Sequence, residues 1–256
     1  VNPHEGYEAA VRRFVAIALD PSPKNRFLTE FAEFLQQIVP FGFSNALSQV
    51  LLKLTSPGVP DVYQGQELWD FSLVDPDNRR PVDFLLRQQL LAELQNESLS
   101  EPSERLALAR ELIARPADSR LKLWVTSQTL QLRHQCDNVF RLGEYVPLQA
   151  NGRCAEHVCA YGWQRAGSDR DEPLTLVVVV PRLVMTLARN FSSTQFDSRI
   201  VLPREAWEDT ELALSSTTEG CYVNIFTGQR HETRSHMIRL DNLLCDFPVA
   251  LLHLQH

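Results

Sequence analysis

The chain has 256 residues, 44% hydrophobic and 22% charged, enough to bury a substantial core as one domain or two. Its formal net charge is −7 and it holds no run of Lys or Arg, which argues against a nucleic-acid or anionic-membrane surface. Apolar runs such as Leu176 to Val180 stay far below the roughly 20 residues of a membrane helix. Residues 1–20 lack the pattern of a secretory leader, and the five cysteines (136, 154, 159, 221 and 245) are odd in number and irregularly spaced. Reduced thiols in a cytoplasmic protein are the expectation.

From Gly6 to Leu19, the residues Tyr7, Ala10, Val11, Phe14, Val15 and Ala18 recur at helical spacing, which predicts an amphipathic helix. Phe27, Leu28, Phe31, Phe34, Leu35 and Ile38 mark a second helix, expected to stop before Pro40, and a third is predicted from about Ser44 to Leu54. Pro57, Gly58 and Pro60 end it, and Asp61-Val62-Tyr63 reads as a short strand. A polar stretch rich in Pro, Asp and Asn follows. It ends at Asp83, whose carboxylate is placed to cap a helix reaching about Leu94. Strand, polar loop, helix is the order in which α/β barrels build their active faces. Ser103 is expected to cap a helix running to Ala114, and Ser119 to His134 reads as another, although Leu121, Leu123 and Val125 alternate like a strand.

Near Gly143 the pattern changes to short β-branched and aromatic runs separated by Gly, Pro, Asn and Ser. These runs are 144–148, 157–163, 174–180, 199–202, 221–226, 236–240 and 247–252. Such spacing predicts an antiparallel sandwich or barrel. A boundary at about 136–143 therefore divides a mostly helical part, 1–140, from an all-β part, 141–256, and the segment 164–173 reads as a solvated hairpin connection.

No G-x-S-x-G, H-E-x-x-H, phosphate-cradling loop or dinucleotide fingerprint is present. Cys154 and His157 point to opposite faces of the strand expected there, so packed thiols are favoured over a metal site, and no cofactor is expected. The loop from Leu54 to Asp83 is the one stretch that reads as a site. Its Glu67, Asp70, Asp75, Asp77 and Asp83, with Arg79 and Arg80, suit an acid/base pair, a set of hydroxyl ligands, or a structural network. Asp75-Pro76-Asp77-Asn78 is also good turn chemistry. Trp69 and Phe71 among these polar groups resemble a surface for sugar rings.

At these residues the sequence resembles a family. The pattern Pro57-Gly58-x-Pro60-x-x-Tyr63-x-Gly65-x-Glu67 is similar to the eighth barrel strand of the α-amylase superfamily. The longer run, Leu51 to Gly65 and then Glu67-Leu68-Trp69-Asp70-Phe71-Ser72-Leu73-Val74-Asp75-Pro76-Asp77-Asn78-Arg79-Arg80-Pro81-Val82-Asp83, resembles the malto-oligosyltrehalose synthases within it. Asn2-Pro3-x-x-x-Tyr7-x-x-Ala10-Val11 and Leu142-Gly143-x-Tyr145-x-Pro147-Leu148 fit the same family, so the likeness spans most of residues 1–180.

The resemblance implies an α+β chain: a helical segment with the last strand and helices of a (β/α)8 barrel, followed by an antiparallel β-sandwich. It also implies an enzyme that turns the reducing-end α-1,4 linkage of a malto-oligosaccharide into an α,α-1,1 linkage, by intramolecular transglucosylation with retention. In that superfamily the nucleophile and acids lie on earlier barrel strands. The bond-breaking groups are therefore expected upstream of Val1 and the chain is expected to be inactive alone. Tyr63, Gln66, Glu67, Trp69, Asp70, Asp77, Arg79 and Arg80 remain as substrate-binding candidates. The competing readings are another hydrolase or transferase of the superfamily, and a non-catalytic carbohydrate-binding module.

Overall fold

The computed structural model describes residues 4–96, 101–165, 167, 174–191, 199–214, 220–233 and 236–255. Its first half is helical: α1 (Glu5–Ala18), α2 (Arg26–Thr55), α3 (Phe84–Asn96), α4 (Pro102–Ala114), α5 (Arg120–Gln135) and α6 (Asp137–Leu142). Then come β1 (Glu144–Leu148), β2 (Ala150–Asn151), β3 (Val158–Gln164), β4 (Leu176–Pro181), α7 (Val184–Phe191), β5 (Glu211–Ala213) and β6 (Cys221–Asn224). The chain finishes with β7 (Arg230–Glu232), β8 (Met237–Arg239), α8 (Leu240–Leu243) and β9 (Ala250–Gln255).

The two helices expected on either side of Pro40 are a single helix, α2. An internal proline costs about 3 kcal/mol or more, through the missing N–H and the ring's clash with the preceding turn. Burial outweighs this. Leu47, Leu51 and Leu54 keep no exposed surface, and burying each such side chain is worth roughly 1.5–3 kcal/mol. Pro40 sits where α2 passes from an exposed half carrying Phe27, Phe31 and Phe34 to this buried half. Helix α1 forms as predicted, but none of its residues is buried, and Tyr7 and Phe14 stand in solvent.

Three further expectations change. Asp61-Val62-Tyr63 is not a strand, because no neighbouring strand takes up its backbone groups. Residues 199–202 are likewise irregular. Helix α4 starts two residues earlier than predicted, with Glu101 and not Ser103 at its cap: Pro102, whose missing N–H costs nothing at a first helical position, leads it, and the Glu101 N–H donates to Glu104 Oε2 at 3.1 Å. Asp83 caps α3 as predicted, accepting from the Leu86 N–H at 2.9 Å. Most of the connection read as a hairpin loop, residues 166 and 168–173, lies outside the described residues, while its flanking strands β3 and β4 pair antiparallel.

Six strands form one antiparallel sheet in the order β1-β3-β4-β9-β6-β7, and β2-β5-β8 form another. Alternation of side chains assigns the large sheet's two faces to two cores. Tyr161, Trp163, Leu176, Val178, Val180 and Leu251 pack with Leu47, Leu51, Leu54 and Trp124 of α2 and α5. Val177, Val179, Ala250, Leu252 and Leu254 pack instead with Leu212 and Ile238 of the small sheet. This is why β4 reads as an unbroken Leu-Val-Val-Val-Val run: it is central and covered on both sides. The proline of β1, Pro147, sits on an edge strand, where a missing donor is tolerated.

The helical and β parts lock together at the end of α2. A helix C-terminus leaves four carbonyls without intrahelical partners. Here the Ser56 N–H donates to Leu52 O at 2.9 Å, Arg133 Nη1 of α5 to Leu54 O at 2.8 Å, and Trp163 Nε1 of β3 to Thr55 O at 2.9 Å. The Thr55 hydroxyl bonds Tyr161 Oη at 2.7 Å. Trp163→Phe removes one of these donors and part of a buried ring. We expect it to cost about 2–4 kcal/mol, measured as a lower urea midpoint with an unchanged m-value.

Candidate functional site

The loop joining α2 to α3 is braced at three points. Gly58, with φ of 100°, turns the chain after α2, and its carbonyl receives Arg133 Nη2 at 2.6 Å. The second brace is Arg87 of α3: Nε donates to Glu67 Oε2 at 3.1 Å, Nη1 to Asp83 O at 3.0 Å and Nη2 to Gly65 O at 2.7 Å. Gly65 takes φ of 91°, a conformation that favours glycine, and a Cβ there would lie a tight 3.1 Å from Val82 Cγ2. The third brace ties the loop to α5. Trp69 Nε1 donates to Pro116 O at 3.1 Å, and Lys122 Nζ donates to Leu68 O at 3.0 Å while lying 5.8 Å from the Trp69 ring centroid. Burial pushes the Lys122 ammonium below its ordinary pKa, with Lys53 adding to the effect.

On this frame Trp69 packs against Phe43 of α2 at 4.7 Å between centroids and is near-parallel to Phe71, at 6.4 Å and 16°. Phe71 nevertheless remains 75% exposed, an unusual expense for a large ring unless something lies on it. The carboxylates of Glu67, Asp70, Asp75, Asp77 and Asp83 are engaged. Asp70 accepts from the Ser72 hydroxyl at 2.6 Å and the Ser72 N–H at 2.9 Å, which hold its pKa below the ordinary range. Asp77 accepts from the Leu73 N–H at 2.8 Å and pairs with Arg80, with the same direction of shift. Asp75 pairs with Arg79. Asp70 and Asp77 therefore stay ionised and act as acceptors. A general acid at neutral pH requires the opposite shift.

A cavity of about 540 Å³ opens between the loop and the start of α3. Of the eight predicted residues, Trp69, Asp70, Asp77 and Arg80 line it, together with Phe71, Asn78 and Arg87. Glu67 stands behind the wall, joined to it through Arg87. Tyr63, Gln66 and Arg79 are not among the lining residues. The Tyr63 carbonyl accepts the Gln66 N–H in a turn at 3.2 Å, and Arg79 points to Asp75. Asn78 Oδ1 is buried without a partner among the described residues. Arg87, Lys122 and Phe43 were not singled out from sequence. The weak signal for Arg87 was its place one helical turn beyond the capping Asp83, which points it back at the loop.

Elsewhere, Cys154 donates its thiol to Ala206 O at 3.3 Å, and His157 Nδ1 lies 3.3 Å from Arg182 O. Among the described residues no group of three His, Cys, Asp or Glu side chains is arranged to hold a metal ion, and no helix is long and apolar enough to cross a membrane.

An exposed aromatic face beside ionised acceptors and guanidinium donors is the chemistry that grips a polyhydroxylated ring. Solved structures that share this chain's fold include maltooligosyltrehalose synthases. Maltooligosyltrehalose synthase from Arthrobacter ramosus aligns with all of this chain and 27% of its own, at 28% identity and a TM-score of 0.70. A maltooligosyl trehalose synthase from Sulfolobus tokodaii, described as hypothetical, shares the fold at a TM-score of 0.57 and 22% identity. A curated relative in Mycobacterium tuberculosis, carrying the name maltooligosyl trehalose synthase, is 32% identical over 226 residues. That match takes in 88% of this chain and 24% of the relative, so the chain spans about a quarter of the length of the curated proteins it matches. No family model matches. The chain is a homologue of the maltooligosyl trehalose synthases over that quarter.

Arg87→Met should leave the Glu67 carboxylate and the Gly65 carbonyl without donors and destabilise the protein by about 1–3 kcal/mol in urea unfolding. Arg87→Lys, a single donor point in place of a planar fork, should recover less than half of the loss. Because Asp70 and Asp77 are held below the ordinary aspartate value of about 3.9, their bonds stabilise the loop above that pH and are lost as the pH falls through their lowered values. Carboxyl NMR titration should therefore give midpoints below about 3.9 for both residues, with Asp70 rising toward that value in Ser72→Ala.

Proposed function

We propose that the chain is the C-terminal portion of a maltooligosyltrehalose synthase and that the loop between α2 and α3 is one wall of its substrate site. The 32% identity to a curated relative over 226 residues carries this reading. The substrate is a malto-oligosaccharide, and the reaction is the intramolecular move of its reducing-end linkage from α-1,4 to α,α-1,1. In this reading Trp69 and Phe71 take the apolar side of a glucose ring, Asp70 and Asp77 accept from its hydroxyls, and Arg80 donates. Glu67, through Arg87, holds the wall in place. Tyr63, Gln66 and Arg79, outside the cavity lining, act through the loop's shape. No residue of this chain breaks the bond.

Residues 1–140 then belong to the catalytic barrel, with Asp61 to Tyr63 as its last strand once neighbours are present, and residues 141–256 form a β-sandwich domain. The exposed apolar faces support this. Tyr7, Phe14 and Ile17 of α1, Phe27 and Phe34 of α2, and Phe84 and Leu85 of α3 make a surface too apolar to suit water, of the kind that further chain covers. Covering them also excludes the water that would divert a glycosyl intermediate to hydrolysis.

Incubating maltopentaose with the longer natural protein containing this sequence should give a non-reducing, trehalose-ended product. The 256-residue chain alone should give none. Glucose release without trehalose ends from the longer protein would instead mark a hydrolase of the same superfamily.

A further inference from the structure

Away from that loop, a second cleft of about 370 Å³ opens where α4 and α5 meet the large sheet at β6, β7 and β9. Its lining holds two arginines, Arg105 and Arg230, with His253 and the amides of Gln128, Gln131 and Gln135, and among the described residues no carboxylate lines it. This composition is unusual in a chain of net charge −7. The register explains how it is assembled. Val223 pairs with Arg230 on one side and with His253 on the other, so both side chains stand in one row on the same face of the sheet. The three glutamines recur at i, i+3 and i+7 along α5, which lines up their amides opposite that row.

Arg105 is the central group. It is half-buried, rests 5.5 Å from the Trp124 ring centroid, and uses Nη1 for Ile225 O and Gln128 Oε1, both at 2.7 Å. Its Nε and Nη2 donate to no described residue, and among the described residues neither Arg105 nor Arg230 has a carboxylate within ion-pair distance. Glu232, on the same strand as Arg230, pairs with Cys221 one row further along and is not among the lining residues of the cleft. A desolvated guanidinium is ordinarily paired, because an unpaired buried charge is costly. Burial indeed lowers the pKa of Arg105.

We propose that this cleft binds an oxyanion, a phosphate group held by Arg105 and Arg230, with the Gln131 and Gln135 amides beside it placed for hydroxyls of a small phosphorylated sugar, while Gln128 holds Arg105 and donates to Gln131 Oε1. Two guanidiniums lining one cleft suit the charge and hydrogen-bonding demand of a phosphate, and the cleft volume suits a monosaccharide-sized ligand. The site is distinct from the loop between α2 and α3 and stands independently of the function proposed for it.

Isothermal titration of the whole chain with inorganic phosphate, glucose 6-phosphate and glucose tests the proposal. Phosphate and glucose 6-phosphate should bind and glucose should not. Tighter binding of the sugar phosphate identifies the amides as part of the site, and equal binding identifies free phosphate as the ligand. Exposed Arg230→Gln, which keeps the fold by circular dichroism, should weaken binding about tenfold or more, the factor of one charge-assisted hydrogen bond. Arg105→Lys should weaken it as well. Absence of binding by either anion at millimolar concentration, an affinity unchanged in Arg230→Gln, or glucose binding as tightly as its phosphate, would each overturn the proposal.

Discussion

The end of α2 is the point on which the arrangement depends. A helix that stops inside a core must hand its last carbonyls to something, and here the donors come from two different parts of the chain: Arg133 of α5 and Trp163 of β3. The helix layer and the sheet are thereby fixed to each other at one place, with Tyr161 and Thr55 adding a buried hydroxyl pair beside it. Arg133 also holds the Gly58 carbonyl and lies over the Phe140 ring at 4.7 Å. The same side chain that ends the helix thus aims the loop that leaves it. The site's position follows from the solution to a backbone hydrogen-bonding problem.

From that anchor the loop runs out over α3 and α5, and its order comes from side chains bonded to backbone. Arg87, Lys122 and Trp69 each contribute a donor to a loop or neighbouring carbonyl. The acids are similarly committed, Asp70 to Ser72, Asp77 to the Leu73 N–H and Arg80, and Glu67 to Arg87. A loop so fully bonded is pre-organised, so a ligand need not supply the free energy of ordering it. Its lowered Asp70 and Asp77 carboxylates suit the acceptance of hydrogen bonds more than the donation of a proton.

The helical half was legible to the extent that its packing is periodic. The spacings in α1, α3 and α5 are local, and the Asp83 cap needs only its own first turn. The reading failed at Pro40, because the penalty of a proline is visible in sequence while the burial of Leu47, Leu51 and Leu54 that outweighs it is not. It failed at Asp61-Val62-Tyr63 for the complementary reason: β propensity is present, but a strand exists only with a partner. In the β half the long runs at β3, β4 and β9 were found within a few residues. The two- and three-residue strands β2, β5 and β7 were not, since their pairing is decided by residues 60 or so positions away or by a turn's local geometry.

The sequence by itself marked one stretch as the candidate site. The density of acids, arginines and aromatic rings between Leu54 and Asp83 is a property of composition, and the likeness of that run to the maltooligosyl trehalose synthases is a property of residue order. Only the tertiary structure decided which of those residues meet in one cavity, that Asp70 and Asp77 are held ionised, and that Arg87 and Lys122 brace the wall. Those outcomes depend on distances and on burial, and both arise from contacts between segments that lie far apart in the chain.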